Sequence, residues 1–169
     1  MNSRRIILGL SASAIVATAI LGALSGTADA QTAKDLIGTW QHVSNINTAA
    51  DGKKTDTFGP NPKGIAIFSA DGHFVIFNLR NDLPKIGANN RAEGTADENT
   101  AIVRGSLALY GTYSVANKVI NLKIDQSTYP NWSGTNATRD ILTYDGDELK
   151  WGLAGSIGGQ SEVTWKRMK

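Results

Sequence analysis

Leu36-Ile37-Gly38-Thr39-Trp40 is the stretch on which the reading of the fold turns. Glycine lets the backbone bend or approach a neighbour closely, threonine favours extension, and the indole brings a large apolar surface with one N–H in need of a partner. That combination suits a strand that enters and plugs one end of a β-barrel. A closed barrel returns its last strand beside its first, and Val163-Thr164-Trp165-Lys166-Arg167 is a suitable closing strand.

Outward from this stretch the apolar period is mostly two, in short runs separated by turn residues. The first run, Gly38 to Ile46, places Trp40, His42, Ser44 and Ile46 on one side and Thr39, Gln41, Val43 and Asn45 on the other. Asn47 to Lys63 is polar and carries Pro60 and Pro62, so it reads as a loop over a barrel end. Gly64 to Phe68 and His73 to Arg80 flank Ala70-Asp71-Gly72, a hairpin signal, because Asp-Gly tolerates the positive φ of tight turns. In the second arm Phe74, Ile76, Asn78 and Arg80 share a face. Thr95 with Glu98 three residues on is a capping-box pattern, predicting one short helix to about Leu109. Gly111 to Val115, Val119 to Ile124, Ala137 to Tyr144, Glu148 to Leu153 and Glu162 to Arg167 complete a set of eight strands. Eight is the number at which a small sheet closes around side chains or one small ligand.

Several pieces then resemble, in order, the bacterial lipocalin-like domain family. They are Leu36 to Trp40, Phe58-Gly59-Pro60-Asn61-Pro62-Lys63-Gly64, Asp71-Gly72-His73, Arg80, Tyr110-Gly111-Thr112-Tyr113, Pro130-Asn131-Trp132-Ser133-Gly134 through Arg139, and Trp165-Lys166-Arg167. Gly38-Thr39-Trp40 is also similar to the Gly-x-Trp that opens the first strand of the wider calycin group. The resemblance implies an all-β fold: an eight-stranded antiparallel up-and-down barrel with one short helix between strands three and four. It implies as well that a basic residue of the last strand, Arg167 or Lys166, packs on the Trp40 indole. It carries no settled activity, and a fold by itself supplies none.

The first thirty of the 169 residues read as an export signal. Arg4 and Arg5 form a positive flank, Ile6 to Leu24 are almost uncharged, and Ala28-Asp29-Ala30 offers small residues for cleavage, so residues 31–169 are expected as the mature domain. Ser3-Arg4-Arg5 also resembles a twin-arginine signal, and either route predicts a periplasmic or secreted protein. Without Arg4, Arg5 and Asp29 the mature chain carries 15 basic against 14 acidic residues, a net +1 that gives no electrostatic reason to expect nucleic acid. Once the apolar leader is cleaved, the mature chain is expected not to span the membrane. Cysteine is absent, which excludes thiol chemistry and cysteine metal sites.

Two histidines, His42 and His73, rule out a three-histidine zinc site, and neither a phosphate loop nor a dinucleotide fingerprint occurs, so neither metal nor cofactor is expected. The richest loop is Tyr129 to Gly134, between the fifth and sixth strands, where Trp132 offers an aromatic platform and Asn131 an amide. Arg80 and Arg139 carry forked donors suited to a ligand carboxylate or enolate oxygen, or to acceptors at a rim. Tyr113 and His73 are further polar candidates. The expected function is therefore binding of a small apolar or amphipathic molecule by Arg80, Tyr113, Asn131, Trp132, Arg139 and His73, with Phe74 adding contact surface. The alternative is a cofactor-independent isomerase, cyclase or hydratase in the same cavity, with His73 or Tyr113 carrying the proton.

Overall fold

The computed structural model describes residues 32–169; the export signal expected over residues 1–30 lies outside them. Strand β1 (Gly38–Thr48) is followed by a three-residue strand β2 (Lys54–Asp56), then β3 (Lys63–Phe68) and β4 (His73–Leu79). After helix α2 (Ala96–Gly105) come β5 (Ser106–Ala116), β6 (Val119–Ser127), β7 (Asn136–Tyr144), β8 (Glu148–Ala154) and β9 (Gln160–Arg167). All neighbours are antiparallel, and β1 pairs with both β3 and β9, so eight strands close into an up-and-down barrel with β2 attached to the edge of β1. α2 bridges the third and fourth strands of the barrel wall, and Thr95 caps it through the reciprocal bonds with Glu98. A further one-turn helix, α1 (Ala33–Leu36), precedes β1 and was not expected.

The two ends differ because their connections differ. Short turns at residues 69–72, 117–118 and 145–147 close one end, the base. Long connections, including α2 and the 3-10 turn Pro130–Trp132, gather at the other, the mouth. At the base, Trp40 is fully buried and its Nε1 donates to the Leu36 carbonyl at 2.8 Å. The Arg167 guanidinium lies 4.1 Å over the indole and donates to the carbonyls of Gly146 (2.6 Å), Ile37 (2.8 Å) and Asp35 (2.7 Å). Lys166 is exposed; strand parity assigns the basic partner to Arg167, whose backbone pairs directly with Trp40. Gly38 is dictated twice over: its φ is +130°, and a Cβ there would sit 3.0 Å from Arg167 Nη1.

Three expectations are corrected by the wall itself. β1 carries a bulge between His42 and Ser44, so Trp40 and His42 point inward, and then Asn45 and Asn47 do. One extra residue reverses the alternation beyond it, which is why Ser44 and Ile46 do not share the Trp40 face. The helix stops at Gly105 rather than near Leu109, since β4 takes the chain into the sheet from Ser106; Gly105 itself is buried where a Cβ would meet Leu83 and Arg80 at 2.6 and 2.8 Å. Ser106 to Tyr110 then pair with β4. Within the polar connection, Lys54–Asp56 form β2 by pairing with Ile46 to Thr48.

His42 stacks on Trp165 (4.9 Å between centroids) and meets Phe58 edge-on (5.6 Å). Neither ring nitrogen has a hydrogen-bond partner, and burial, partly opposed by the Ser44 backbone, pushes its pKa from 6.5 down to about 4. The unfolded chain therefore binds a proton between pH 6.5 and 4 that the folded chain refuses. Stability is full above pH 6.5 and falls as the pH drops toward 4, by roughly 3 kcal/mol over the window. Denaturant titrations at pH 7 and pH 4.5 should show this loss in the native chain and a clearly smaller one in His42→Phe.

Candidate functional site

The barrel core is apolar from base to waist and polar above. Inward from the mouth half of the wall project Asn45, Asn47, Asn78, Arg139 and Ser161, all buried. Four of them, Asn45, Asn78, Arg139 and Ser161, line one narrow, partly open cavity of about 30 Å³. Its remaining walls are mainly aromatic and aliphatic, Trp151 and Trp165 below and Trp132, Phe58 and Ile157 above, with Thr57 and Ser156 among them. A space of that size holds about two waters.

Arg139 is the charge in this cavity. It is 5% exposed, and its one hydrogen bond runs from Nη1 to the carbonyl of Thr138 at 2.7 Å. Its guanidinium carbon lies 5.7 Å from the centre of the Trp132 ring, a cation–π contact. No carboxylate among the described residues pairs with it; burial lowers its pKa to about 10, so it stays charged at neutral pH. Asn78 Oδ1 and Trp165 Nε1, on two other walls of the cavity, are buried without any partner.

The cap is Trp132. The 3-10 turn that carries it is tied by backbone bonds, Trp132 N to the Tyr129 carbonyl (3.0 Å) and Gly134 N to the Ile124 carbonyl (2.9 Å). The half-buried indole makes no hydrogen bond; it packs on the edge of the core, with Tyr129 lying edge-on at 5.6 Å. Directly above, an open vestibule of about 190 Å³ shares Thr57, Phe58, Leu107, Ser156 and Ile157 with the cavity. Val103 (75% exposed), Ile157 (64%) and Tyr129 give it an apolar rim.

Of the six residues singled out in the sequence, Trp132 and Arg139 share the cavity; the other four lie elsewhere. His73 stands exposed at the base turn, its Nδ1 3.2 Å from Asp71 Oδ1. Tyr113 is also at the base, its hydroxyl 3.1 Å from the Ser69 carbonyl and 3.3 Å from that of Ala33, where it helps hold α1. β4 ends before Arg80, which leaves the inward row and makes a two-bonded ion pair with Asp82, Nε and Nη2 each at 2.8 Å, on the outer rim. Asn131 is exposed. Phe74 is buried but faces Phe68 and the base rather than the cavity. Proton carriers at His73 or Tyr113 are thus at the opposite end from Arg139. The residues missed were Asn45, Asn78 and Ser161. Asn78 was legible from its place in the Phe74-Ile76-Asn78 row, whereas Asn45 was hidden by the bulge.

Among the described residues no group of three or more His, Cys, Asp or Glu side chains is placed to hold a metal, and no helix is long and apolar enough to cross a membrane.

Comparison with solved structures finds small barrels. An uncharacterised protein from Bacteroides eggerthii DSM 20697 is similar with a TM-score of 0.43 at 12% identity, over 79% of this chain and 99% of that one. A redesigned β-barrel gives a TM-score of 0.43 at 14% identity, over 83% and 98%. Another redesigned barrel, mFAP1 bound to DFHBI, gives 0.38 at 20% identity, over 80% and 97%. No curated protein matches the chain. The lipocalin-like domain model matches residues 37–168, from the residue before Gly38-Thr39-Trp40 to the residue after Arg167. With the barrel closed between those same two landmarks, the chain belongs to the lipocalin-like domain family.

Proposed function

We propose that this chain is an exported binding protein that takes one small, mainly apolar molecule bearing an oxygen function into the mouth half of the barrel. The observation that carries the reading is Arg139, a buried guanidinium with a single backbone acceptor and no counter-ion, facing a narrow cavity. A buried charge in that state costs several kcal/mol that an apolar side chain would not. A ligand oxygen in the cavity would offset that cost when bound.

Entry requires Trp132 to swing, since about 30 Å³ admits no ligand body. The indole makes no hydrogen bond and is only half-buried against the core, so the cap is the part of the wall most easily displaced. The leader at residues 1–30 supports delivery to the periplasm or the medium, where a carrier meets its cargo outside the cytoplasm.

Native mass spectrometry of the mature protein from its own host, followed by a tryptophan-quenching screen of lipids and aromatic metabolites, tests the reading. A co-purified mass, or saturable quenching lost in Trp132→Ala with the melting temperature changed by no more than a few degrees, is expected. A protein that carries no small molecule and shows no saturable quenching with any member of the screen would count against a binding role.

A further inference from the structure

The cavity and the vestibule differ in chemistry, and the difference specifies an occupant more closely. The unused capacity in the cavity is richer in donors than in acceptors. Arg139 Nε and Nη2 make no hydrogen bond and Trp165 Nε1 is a buried donor without a partner, while the one buried acceptor left unpaired is Asn78 Oδ1. The Ser161 hydroxyl accepts from Asn47 Nδ2 at 3.1 Å and has its proton free. No Asp or Glu lines the cavity, so its net charge is that of one guanidinium. Above it the vestibule offers hydrocarbon one apolar wall, Phe58, Leu107, Val103, Tyr129 and Ile157, the rest of its lining being Arg104 and the hydroxyl residues Thr57, Ser106, Thr128 and Ser156.

We propose that the site takes a monocarboxylate with an apolar tail, its head group held on Arg139 inside the barrel and its tail lying in the vestibule beneath Ile157 and Val103. The inference rests on the binding reading above and adds the sign of the ligand's charge and its direction of insertion. Two carboxylate oxygens match both the fork of a guanidinium and a space that holds about two waters. A phosphate monoester fits less well: it brings about two negative charges to a cavity with one cation and needs more room for its oxygens. A neutral alcohol would leave Arg139 buried without a counter-ion.

Isothermal titration of the mature protein with decanoate and with 1-decanol tests this, using the native chain, Arg139→Met and Arg139→Lys. Decanoate is expected to bind the native chain at least about tenfold more tightly than decanol, and Arg139→Met to erase that preference. Arg139→Lys keeps the charge but loses the fork, and should retain part of the preference. Arg139→Met replaces an uncompensated buried charge with an apolar chain of similar length, so its ligand-free melting temperature is expected to be unchanged or higher, which separates lost binding from lost folding. Equal binding of acid and alcohol, with no effect of Arg139→Met, would overturn the carboxylate assignment and leave the binding reading standing. Binding of neither would likewise overturn the carboxylate assignment, while the mass-spectrometric and quenching screen decides the binding reading.

Discussion

Trp40→Ala should lower the melting temperature by roughly 10–20 °C, corresponding to about 3–5 kcal/mol for emptying a fully buried indole site. The estimate sits at the high end because more than volume is lost. The Leu36 carbonyl loses its donor, the Arg167 guanidinium loses the ring beneath it, and Leu36 and Tyr144, which pack on the indole or its end of the core, face the cavity left behind. Scanning calorimetry of the two proteins at one pH measures it. A change below about 2 °C would show that the base is not sealed by this residue. Ligand affinity, by contrast, should change little in whatever fraction of the variant stays folded, since Trp40 lies at the end opposite the cavity.

Arg167→Met carries the second largest expected effect, about 2–4 kcal/mol. Its guanidinium serves three carbonyls on two segments: Asp35 and Ile37 ahead of β1, and Gly146 in the β7–β8 turn. Methionine keeps much of the apolar stem that covers the indole but leaves these carbonyls without their charged donor. Arg167→Lys should recover only part of the loss, because one ammonium cannot reproduce a planar fork over a ring. Because Trp40 and Arg167 touch, the double variant Trp40→Ala/Arg167→Met should cost clearly less than the two single losses combined. Strict additivity in denaturant unfolding would mean that the contact is incidental.

The base and the helix start were legible because their chemistry is local and unambiguous: glycine, threonine and tryptophan in succession and Asp71-Gly72 at a hairpin for the base, Thr95 with Glu98 for the helix. Each of these acts through its own neighbours. The candidate site was legible in part. Trp132 and Arg139 stood out by residue type, but the sequence could not say that Arg80, also on an inward row, would leave the wall one residue after β4 ends to pair with Asp82. Nor could it separate Tyr113, which shares an inward row with Leu109, from the mouth residues, because position along a strand is not depth in a tilted barrel. The bulge at Val43 is the sharpest case: it is decided by how β1 fits β9, more than a hundred positions away, and it alone puts Asn45 and Asn47 inside. Alternation is a local rule, and a bulge is where a distant partner overrules it.

The pairing of Trp40 with Arg167 has a consequence for how the molecule is made. Synthesis proceeds from the amino end, so β1 is complete long before its second neighbour exists, and until β9 has emerged the sheet is an open curl with two bare edges. α1, held by Tyr113, Tyr144 and Arg167, has nothing to dock on fully until the same moment. The barrel is thus sealed in one late event, when the last strand and the last ligand of the indole arrive together. A nascent chain missing only its final strand would present the translation apparatus and its chaperones with an almost finished sheet that has no way to close.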